Sequence, residues 1–150
     1  MDLRKIITEE IINLNEERER FSVLYHGTDI TSAQNIIKHG IKIDASTGGY
    51  FGKGFYTTPD LKLVKSNYAD FAEDNQGVIM EFMLNPNANI LDLRDEQDWD
   101  IWLKYARSVH NQDFYLTMIR NGIDGLWDNS FEGVVIYNPK ALKFIKTISI

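Results

Sequence analysis

The glycine-rich segment 48–54 has the composition of a phosphate-binding loop. It runs GGYFGKG, and glycine backbones of this kind can wrap around the oxygens of a nucleotide phosphate. A Walker loop needs Ser or Thr after its lysine to reach a metal ion, whereas Gly54 follows Lys53 here. A dinucleotide loop leads into a helix, but the next residues, GFYTT, have the composition of a strand. A kinase loop fails as well, because the chain has no HRD or DFG motif.

The three histidines are the next candidates, since imidazole can ligate a metal ion or move a proton near neutral pH. His26, His39 and His110 stand apart without the HExxH spacing of a helical zinc site, and the chain has no cysteine. His39 precedes a predicted helix end, where a cation complements the helix dipole. His110 lies between two predicted helices and is expected at the surface. The sequence therefore predicts no metal site and leaves His26 as the candidate for chemistry.

Four short motifs remain, and they follow one another along the chain. They are LYHGT at 24–28, GKGFY at 52–56, KSNY at 65–68 and FEG at 131–133. Each alone has an ordinary structural explanation: a histidine at a strand end, a tyrosine on an apolar helical stripe, a glutamate that opens a strand. Their order and spacing, taken together, carry the case for a function.

In this order the motifs resemble the catalytic domain of the poly(ADP-ribose) polymerase-like ADP-ribosyltransferases, a family with the diphtheria-toxin type of fold marked by a His, a Tyr and a Glu. The resemblance is densest over residues 24–68, about a third of the chain, and resumes from residue 132 to the end. Residues 85–125 add nothing specific. The resemblance implies an α+β fold with an ADP-ribosyltransferase-like split β-sheet core and flanking helices.

The chemistry that the resemblance implies is a reaction of NAD. The family breaks the bond between nicotinamide and ribose and passes ADP-ribose to an acceptor. Because nicotinamide leaves as a neutral base while positive charge develops on the ribose, such an enzyme must hold the dinucleotide, stack on its ring and place an anion beside the ribose. No long insertion of the kind that chain elongation would favour is present, so transfer of a single unit is expected. The implied activity is that of an NAD-dependent mono-ADP-ribosyltransferase.

The first two motifs would supply most of the binding contacts. By resemblance, His26 hydrogen-bonds a ribose hydroxyl of the adenosine half, and the backbone of Gly27 holds the nicotinamide amide, where a missing side chain permits close approach. Thr28 stands where the family often has Ser. Tyr56 would line the nicotinamide pocket. The loop over residues 44–53 would lie over the NAD site, and its glycines would leave it mobile.

The third and fourth motifs would complete the site. Tyr68 matches the tyrosine that stacks on the pyridinium ring, a contact worth about 1–2 kcal/mol. The family's nicotinamide-binding serine precedes that tyrosine by three residues, whereas Ser66 precedes Tyr68 by two, so the two share a helical face only in an irregular helix. Glu132 would bind the hydroxyls of the nicotinamide-side ribose, stabilise the developing positive charge and polarise the acceptor.

The strand after Glu132 departs from the family pattern, because it is one residue longer before its aromatic residue. A one-residue slip turns a strand's side chains to the other face, and a bulge at Gly133 would restore Glu132 to the cleft. Glu81 on the predicted strand GVIMEFMLN is the reserve carboxylate. Three alternatives stay open: an NAD glycohydrolase that uses water, a non-catalytic module that binds NAD or ADP-ribose, and an α+β interaction domain whose motifs are coincidental.

The elements that must position these motifs follow from hydrophobic patterning. Strands are predicted at 22–27, 54–58, 77–85, 88–93, 125–127, 133–138 and 144–150, and helices at 31–40, from 59 to 71, at 97–109 and at 111–121. Thr31 or Ser32 is expected to cap the first helix, which Gly40 would stop, and Thr58 to cap the second, with Pro59 at its first position. Without a regular βαβ rhythm, the pattern predicts an α+β domain rather than a doubly wound parallel sheet.

Length and composition set the remaining expectations. The 150 residues are 43% hydrophobic and 25% charged, which fits one domain over 1–150 that opens with an amphipathic helix at 2–19. A net charge of −6 opposes binding to nucleic acid and anionic membranes, so a protein acceptor is favoured over nucleic acid. With no signal peptide and no stretch of ~20 apolar residues, the cytoplasm is the expected location. An effector exported without a cleaved signal would look the same, and the sequence does not indicate an oligomeric state.

Overall fold

A computed structural model describes residues 22–46, 48–67, 77–128 and 133–149. Its strands are β1 (Val23–Asp29), β2 (Phe55–Thr57), β3 (Gly77–Leu84), β4 (Ile90–Asp92), β5 (Gly125–Asp128), β6 (Gly133–Ile136) and β7 (Leu142–Ser149). Its α-helices are α1 (Ile30–His39), α2 (Leu61–Asn67), α3 (Glu96–Tyr105) and α4 (Phe114–Arg120), and short 3-10 turns lie at Ile43–Ala45, Ala106–Ser108 and Pro139–Ala141. The helix predicted at 2–19 lies outside the described residues.

The strands form two sheets with the orders β1-β3-β7 and β2-β6-β5-β4. Every pairing is antiparallel except that of β4 with β5, and the helices lie between strands without a βαβ rhythm. The predicted α+β class is therefore confirmed. The sheets meet at one isolated bridge, in which the Tyr25 N–H donates to the Thr58 carbonyl at 2.8 Å and the Thr58 N–H donates back at 2.9 Å.

The core has two layers, one on each face of the second sheet. The first layer joins Leu24, Met80 and Phe82 of the first sheet to Phe55, Val134 and Ile136 of the second. The second layer packs Leu126, Val135 and Tyr137 against Trp102, Phe114 and Met118 of α3 and α4. Since both faces of β6 are covered, its four residues are all buried, which explains why GVVI is a continuous apolar run. No helix in the described part of the chain is long and apolar enough to cross a membrane.

The start of α1 differs from the prediction that Thr31 or Ser32 caps it. Asp29 is the N-cap: its Oδ1 accepts from the Ser32 N–H at 2.7 Å, and its Oδ2 accepts from the Ser32 hydroxyl at 2.8 Å. A carboxylate satisfies one of the unpaired amides of the first turn and complements the positive end of the helix dipole, so the helix begins earlier. Gly40, with φ of +82°, ends the helix as predicted.

The start of α2 also lies elsewhere than predicted. Thr58 was expected to cap a helix beginning at Pro59, but the first helical residue is Leu61. The Asp60 carboxylate accepts from the amides of Lys62 and Leu63 at 3.0 and 3.2 Å, while the Thr58 hydroxyl accepts from the Asp60 N–H at 3.1 Å. Both predicted caps were wrong for the same reason, since an aspartate nearby takes the first-turn amides.

The remaining boundaries shift by a few residues. The strand predicted at 88–93 covers only Ile90–Asp92, and the strand predicted at 144–150 begins at Leu142. The helices predicted at 97–109 and 111–121 are Glu96–Tyr105 and Phe114–Arg120, because a 3-10 turn and a further turn separate them. The 3-10 turn Pro139–Ala141 connects the last two strands, and the Asn138 side chain at its start accepts from the Lys140 N–H at 3.1 Å.

Candidate functional site

A cavity of about 710 Å³ lies between β1, β2, α1 and the segment that follows α1. Its walls include His26 and Thr28 from β1, one side of α1, residues of the segment 40–48, and Gly54 to Tyr56 at the start of β2. A volume of this size is typical of sites for small molecules and cofactors. The cavity therefore brings together residues from the first and second motifs, which are separated by about thirty positions.

His26 is held in place by β2 from two directions. Its ring stacks on Phe55 with centroids 4.0 Å apart, and its Nδ1 lies 2.7 Å from the backbone carbonyl oxygen of Tyr56. Because that oxygen can only accept, Nδ1 carries the proton, and in the neutral ring Nε2 keeps a lone pair. Burial lowers the pKa of His26, although the bond to the Tyr56 carbonyl acts in the opposite direction. The residue is thus set up as a neutral imidazole with one acceptor nitrogen.

Tyr56 is anchored through its hydroxyl. The hydroxyl donates to the Gly52 carbonyl at 2.7 Å and accepts from the Phe51 N–H at 3.2 Å. Burial raises the pKa of Tyr56, and the bond from Phe51 opposes that shift. Gly49 lies so close that a Cβ there would come within 2.5 Å of the Tyr56 hydroxyl oxygen. The half-buried ring therefore lines the cavity in a defined orientation.

Gly27 contributes its backbone rather than a cavity wall. The bridge to Thr58 uses both backbone groups of Tyr25, and backbone groups two residues apart on a strand point to the same edge. The N–H and C=O of Gly27 therefore point toward β2, level with Tyr56. Gly27 itself is absent from the residues that line the cavity, whereas Thr28 is among them.

Three of the four glycines in the segment 48–54, Gly49, Gly52 and Gly54, are required by close packing. Gly52 has φ of +81°, and a Cβ there would collide with the backbone carbonyl oxygen of Val109. A Cβ at Gly54 would come within 2.5 Å of Val135. Phe51 is only 2% exposed, and its carbonyl oxygen accepts a hydrogen bond from the hydroxyl of Tyr137. Of the loop predicted at 44–53, Ala45, Ser46 and Gly48 line the cavity, while Phe51 and Gly52 are packed against the rest of the protein.

The structure describes residues 65–67 of the third motif. Ser66 lies exposed on α2, two positions from the buried Val64, and does not line the cavity. Tyr68 and Glu132, the predicted stacking ring and catalytic carboxylate, lie outside the described residues.

The reserve carboxylate, Glu81, faces away from the cavity. It pairs with Tyr25 across β1 and β3, whereas His26 pairs with Met80, and paired residues share a face. Burial raises the pKa of Tyr25, and the charge of Glu81 and a hydrogen bond to it raise it further. Glu81 therefore belongs to the opposite face of the first sheet.

One wall of the cavity carries polar residues that belong to none of the four motifs. Ser32, Asn35 and His39 recur along one side of α1, and Lys42 follows beyond the helix end. The spacing i, i+3, i+7 is a signal that could have identified this polar stripe from the sequence. Among the described residues that line the cavity there is no aspartate or glutamate, although the chain as a whole carries a net charge of −6.

In the described ranges, no three His, Cys, Asp or Glu side chains are arranged to hold a metal ion. No protein-family model matches the chain, and a search of curated proteins finds no match.

Proposed function

We propose that this protein is an NAD-dependent mono-ADP-ribosyltransferase with an ADP-ribosyltransferase-like split β-sheet core, which cleaves the nicotinamide–ribose bond and transfers ADP-ribose to a macromolecular acceptor. The observation that carries the proposal is the convergence of His26, Thr28 and Tyr56, from two separate motifs, on one cavity of about 710 Å³.

The state of His26 supports binding of a ribose. Its Nδ1–H is committed to the Tyr56 carbonyl, so the neutral ring offers only an acceptor at Nε2. A ribose hydroxyl is a donor that matches this nitrogen. The lowered pKa of His26, caused by burial, keeps the ring in this neutral form at physiological pH.

The polarity of the cavity supports binding of a dinucleotide. NAD carries two phosphates, and carboxylates near them would repel these groups. The described lining residues include Lys42 and His39 and no carboxylate. The backbone groups of Gly27 point toward β2, where they could pair with the nicotinamide amide as the family resemblance implies.

The catalytic anion is assigned to Glu132. It immediately precedes Gly133, the first residue of β6, and β6 pairs with β2 so that Val135 lies opposite Tyr56 and Val134 opposite Thr57. One step further along this register, Gly133 is level with Thr58, the residue that bridges the two sheets. A carboxylate beside the ribose would stabilise the positive charge that develops as neutral nicotinamide leaves. His26, Gly27, Thr28, Tyr56 and Tyr68 would hold NAD, and Ser66 has the weakest claim to a contact.

The acceptor is proposed to be a protein. The net charge of −6 opposes approach to nucleic acid, and Lys42, which lines the cavity, belongs to the proposed dinucleotide site.

Release of nicotinamide from NAD is the experiment that tests the proposal. The unsubstituted protein should release nicotinamide, and Glu132→Gln should slow release by about 100-fold or more, the scale of one well-placed electrostatic contact. Glu81→Gln is the matched control, because that carboxylate lies on the opposite face of the first sheet, and it should retain activity. Normal turnover by Glu132→Gln would show that another group provides the anion.

A non-catalytic module that binds NAD or ADP-ribose is the second candidate. The observation in its favour is the lack of a carboxylate among the described residues that line the cavity. Tight binding of NAD without nicotinamide release would establish it. Among active forms, transfer of label from tagged NAD to added protein separates a transferase from an NAD glycohydrolase, which releases free ADP-ribose.

A further inference from the structure

Phe51 and Gly52 are held between two tyrosine hydroxyls, those of Tyr56 in β2 and of Tyr137 just after β6. The Tyr137 hydroxyl, directly after β6, donates to the Phe51 carbonyl oxygen at 2.8 Å. On the other side, the Phe51 N–H donates to the Tyr56 hydroxyl, which in turn donates to the Gly52 carbonyl oxygen. A continuous chain of hydrogen bonds therefore links Tyr137 to the cavity residue Tyr56 through one segment of backbone.

A chain of four packed aromatic rings also holds this segment in place. Phe51 packs edge-to-face on Trp102, Trp102 on Phe114, and Phe114 on Tyr137, with centroids 5.5, 5.9 and 5.6 Å apart. The bond from the Tyr137 hydroxyl to Phe51 closes this set into a ring. Because edge-to-face contacts define the angle between neighbouring rings, the direction of the Tyr137 hydroxyl is constrained by its packing.

The packing contacts of Tyr137 are made by its ring, and a phenylalanine would make the same ones. The hydroxyl therefore needs a separate explanation. Tyr137 is fully buried, and a buried hydroxyl costs free energy unless it makes a hydrogen bond. Burial and the neighbouring Tyr56 raise the pKa of Tyr137 far above its usual range, so its hydroxyl stays a donor. The function of the Tyr137 hydroxyl is thus its hydrogen bond to the Phe51 carbonyl oxygen.

We propose that Tyr137 is a positioning residue for the candidate site, which holds the backbone of Phe51 and Gly52 so that this backbone in turn fixes the Tyr56 ring at the cavity wall. That the ring then faces nicotinamide rests on the proposed function. The positioning itself does not, since it concerns only contacts within the chain.

Hydrogen exchange of the Phe51 amide tests the positioning without any ligand. Tyr137→Phe removes one hydroxyl and keeps the ring, and we expect the Phe51 amide to exchange at least about tenfold faster, as its bond to Tyr56 loosens. Thr57→Val is the matched control: it removes another buried hydroxyl, which donates to the Val134 carbonyl at 2.7 Å on the other face of the sheet. Exchange at Phe51 should stay unchanged in that variant.

Kinetics with NAD provide the second measurement. If Tyr56 contacts nicotinamide equally in the ground state and the transition state, Tyr137→Phe should raise KM for NAD about fivefold or more and leave kcat within about twofold. Thr57→Val should leave both constants unchanged even if it lowers Tm by a similar amount. If the unsubstituted protein does not turn over NAD, the proposed function fails, while the exchange comparison still decides the role of Tyr137.

Two results would overturn the proposal. One is a Phe51 amide that exchanges in Tyr137→Phe at the rate of the unsubstituted protein; the other is an equal acceleration in Thr57→Val. Should Tyr137→Phe not fold, NMR of the unsubstituted protein with isotope-labelled tyrosine decides the matter. A slowly exchanging Tyr137 hydroxyl proton supports the hydrogen bond to Phe51, and a rapidly exchanging one contradicts it.

Discussion

The imidazole of His26 lies against the ring of Phe55, with centroids 4.0 Å apart and planes inclined by 29°. His26 belongs to the first sheet and Phe55 to the second, so this stack joins the sheets close to the bridge between Tyr25 and Thr58. Phe55 is itself buried in the core layer that the two sheets share. The orientation of the candidate ribose-binding residue therefore depends on how the sheets are docked, and a perturbation of either sheet is expected to affect the site.

Stability is expected to fall in mild acid because of His26. Burial lowers the pKa of His26 below its ordinary value of 6.5, so near that pH the unfolded chain binds a proton more readily than the folded protein. The contribution of neutral His26 to the free energy of unfolding is therefore fully present above pH 6.5. It is lost as the pH falls from about 6.5 toward the lower pKa of the folded protein. Tm measured from about pH 7.5 to about pH 5 checks this. His26→Gln should flatten the slope, while His110→Gln, at an exposed position, should retain it.

Tyr68→Ala is expected to weaken NAD binding more than it weakens folding. A ring stacked on the cationic pyridinium contributes about 1–2 kcal/mol, which corresponds to a five- to thirtyfold change in Kd. Calorimetric titration with NAD, combined with a thermal melt, measures both effects. Tyr68→Phe keeps the ring and should bind nearly as well as the unsubstituted protein. An alanine variant that binds NAD normally yet melts early would make Tyr68 a core residue.

Gly52→Ala should be among the most destabilising changes in the glycine-rich segment. The left-handed φ of +81° strains any L side chain, and the new Cβ would also collide with the Val109 carbonyl oxygen. We expect a loss of about 3 kcal/mol in the free energy of unfolding. Gly122→Ala is the control, since Gly122 has a similar φ of +75° but nothing within 4 Å of the added atom. It should cost about 1 kcal/mol, and equal losses in urea denaturation would contradict the packing argument.

Asp29→Ala is expected to lower stability by about 1 kcal/mol through loss of the α1 cap. Hydrogen bonds from Ser32 lower the pKa of Asp29 below its ordinary value of 3.8. The contribution of the carboxylate is therefore present above 3.8 and is lost as pH falls below that value. Asp29→Asn should keep most of the cap but lose this acid dependence. Denaturation at neutral and acidic pH measures both effects; a full-strength cap in Asp29→Ala would point to Thr31 or Ser32 instead.

Local features of the chain were well predicted. The strand that carries His26, the end of α1 at Gly40 and the α+β class all follow from periodicity and from the φ preference of glycine, which act over a few neighbouring residues. The caps of α1 and α2 were predicted wrongly. Several residues at each helix start could accept the same amides, and the choice of Asp29 and Asp60 depends on where the flanking strand and turn leave the chain.

In the candidate site, too, local features were predictable from the sequence and long-range contacts were not. The motifs identified candidate residues such as His26 and Tyr56. The contacts between residues depended instead on the pairing of distant strands. Examples are the contacts of His26 with Phe55 and Tyr56, the position of Glu81 on the opposite face, and the hydrogen bond from Tyr137 to Phe51.

Periodicity and composition along the chain were enough to place most helices and strands and to exclude cysteine chemistry. Which faces of those elements meet became evident only in the folded protein. The physical reason is that strand register and sheet docking are selected by burial of apolar surface between residues far apart in the chain, and a shift of one residue reverses every side chain on a strand.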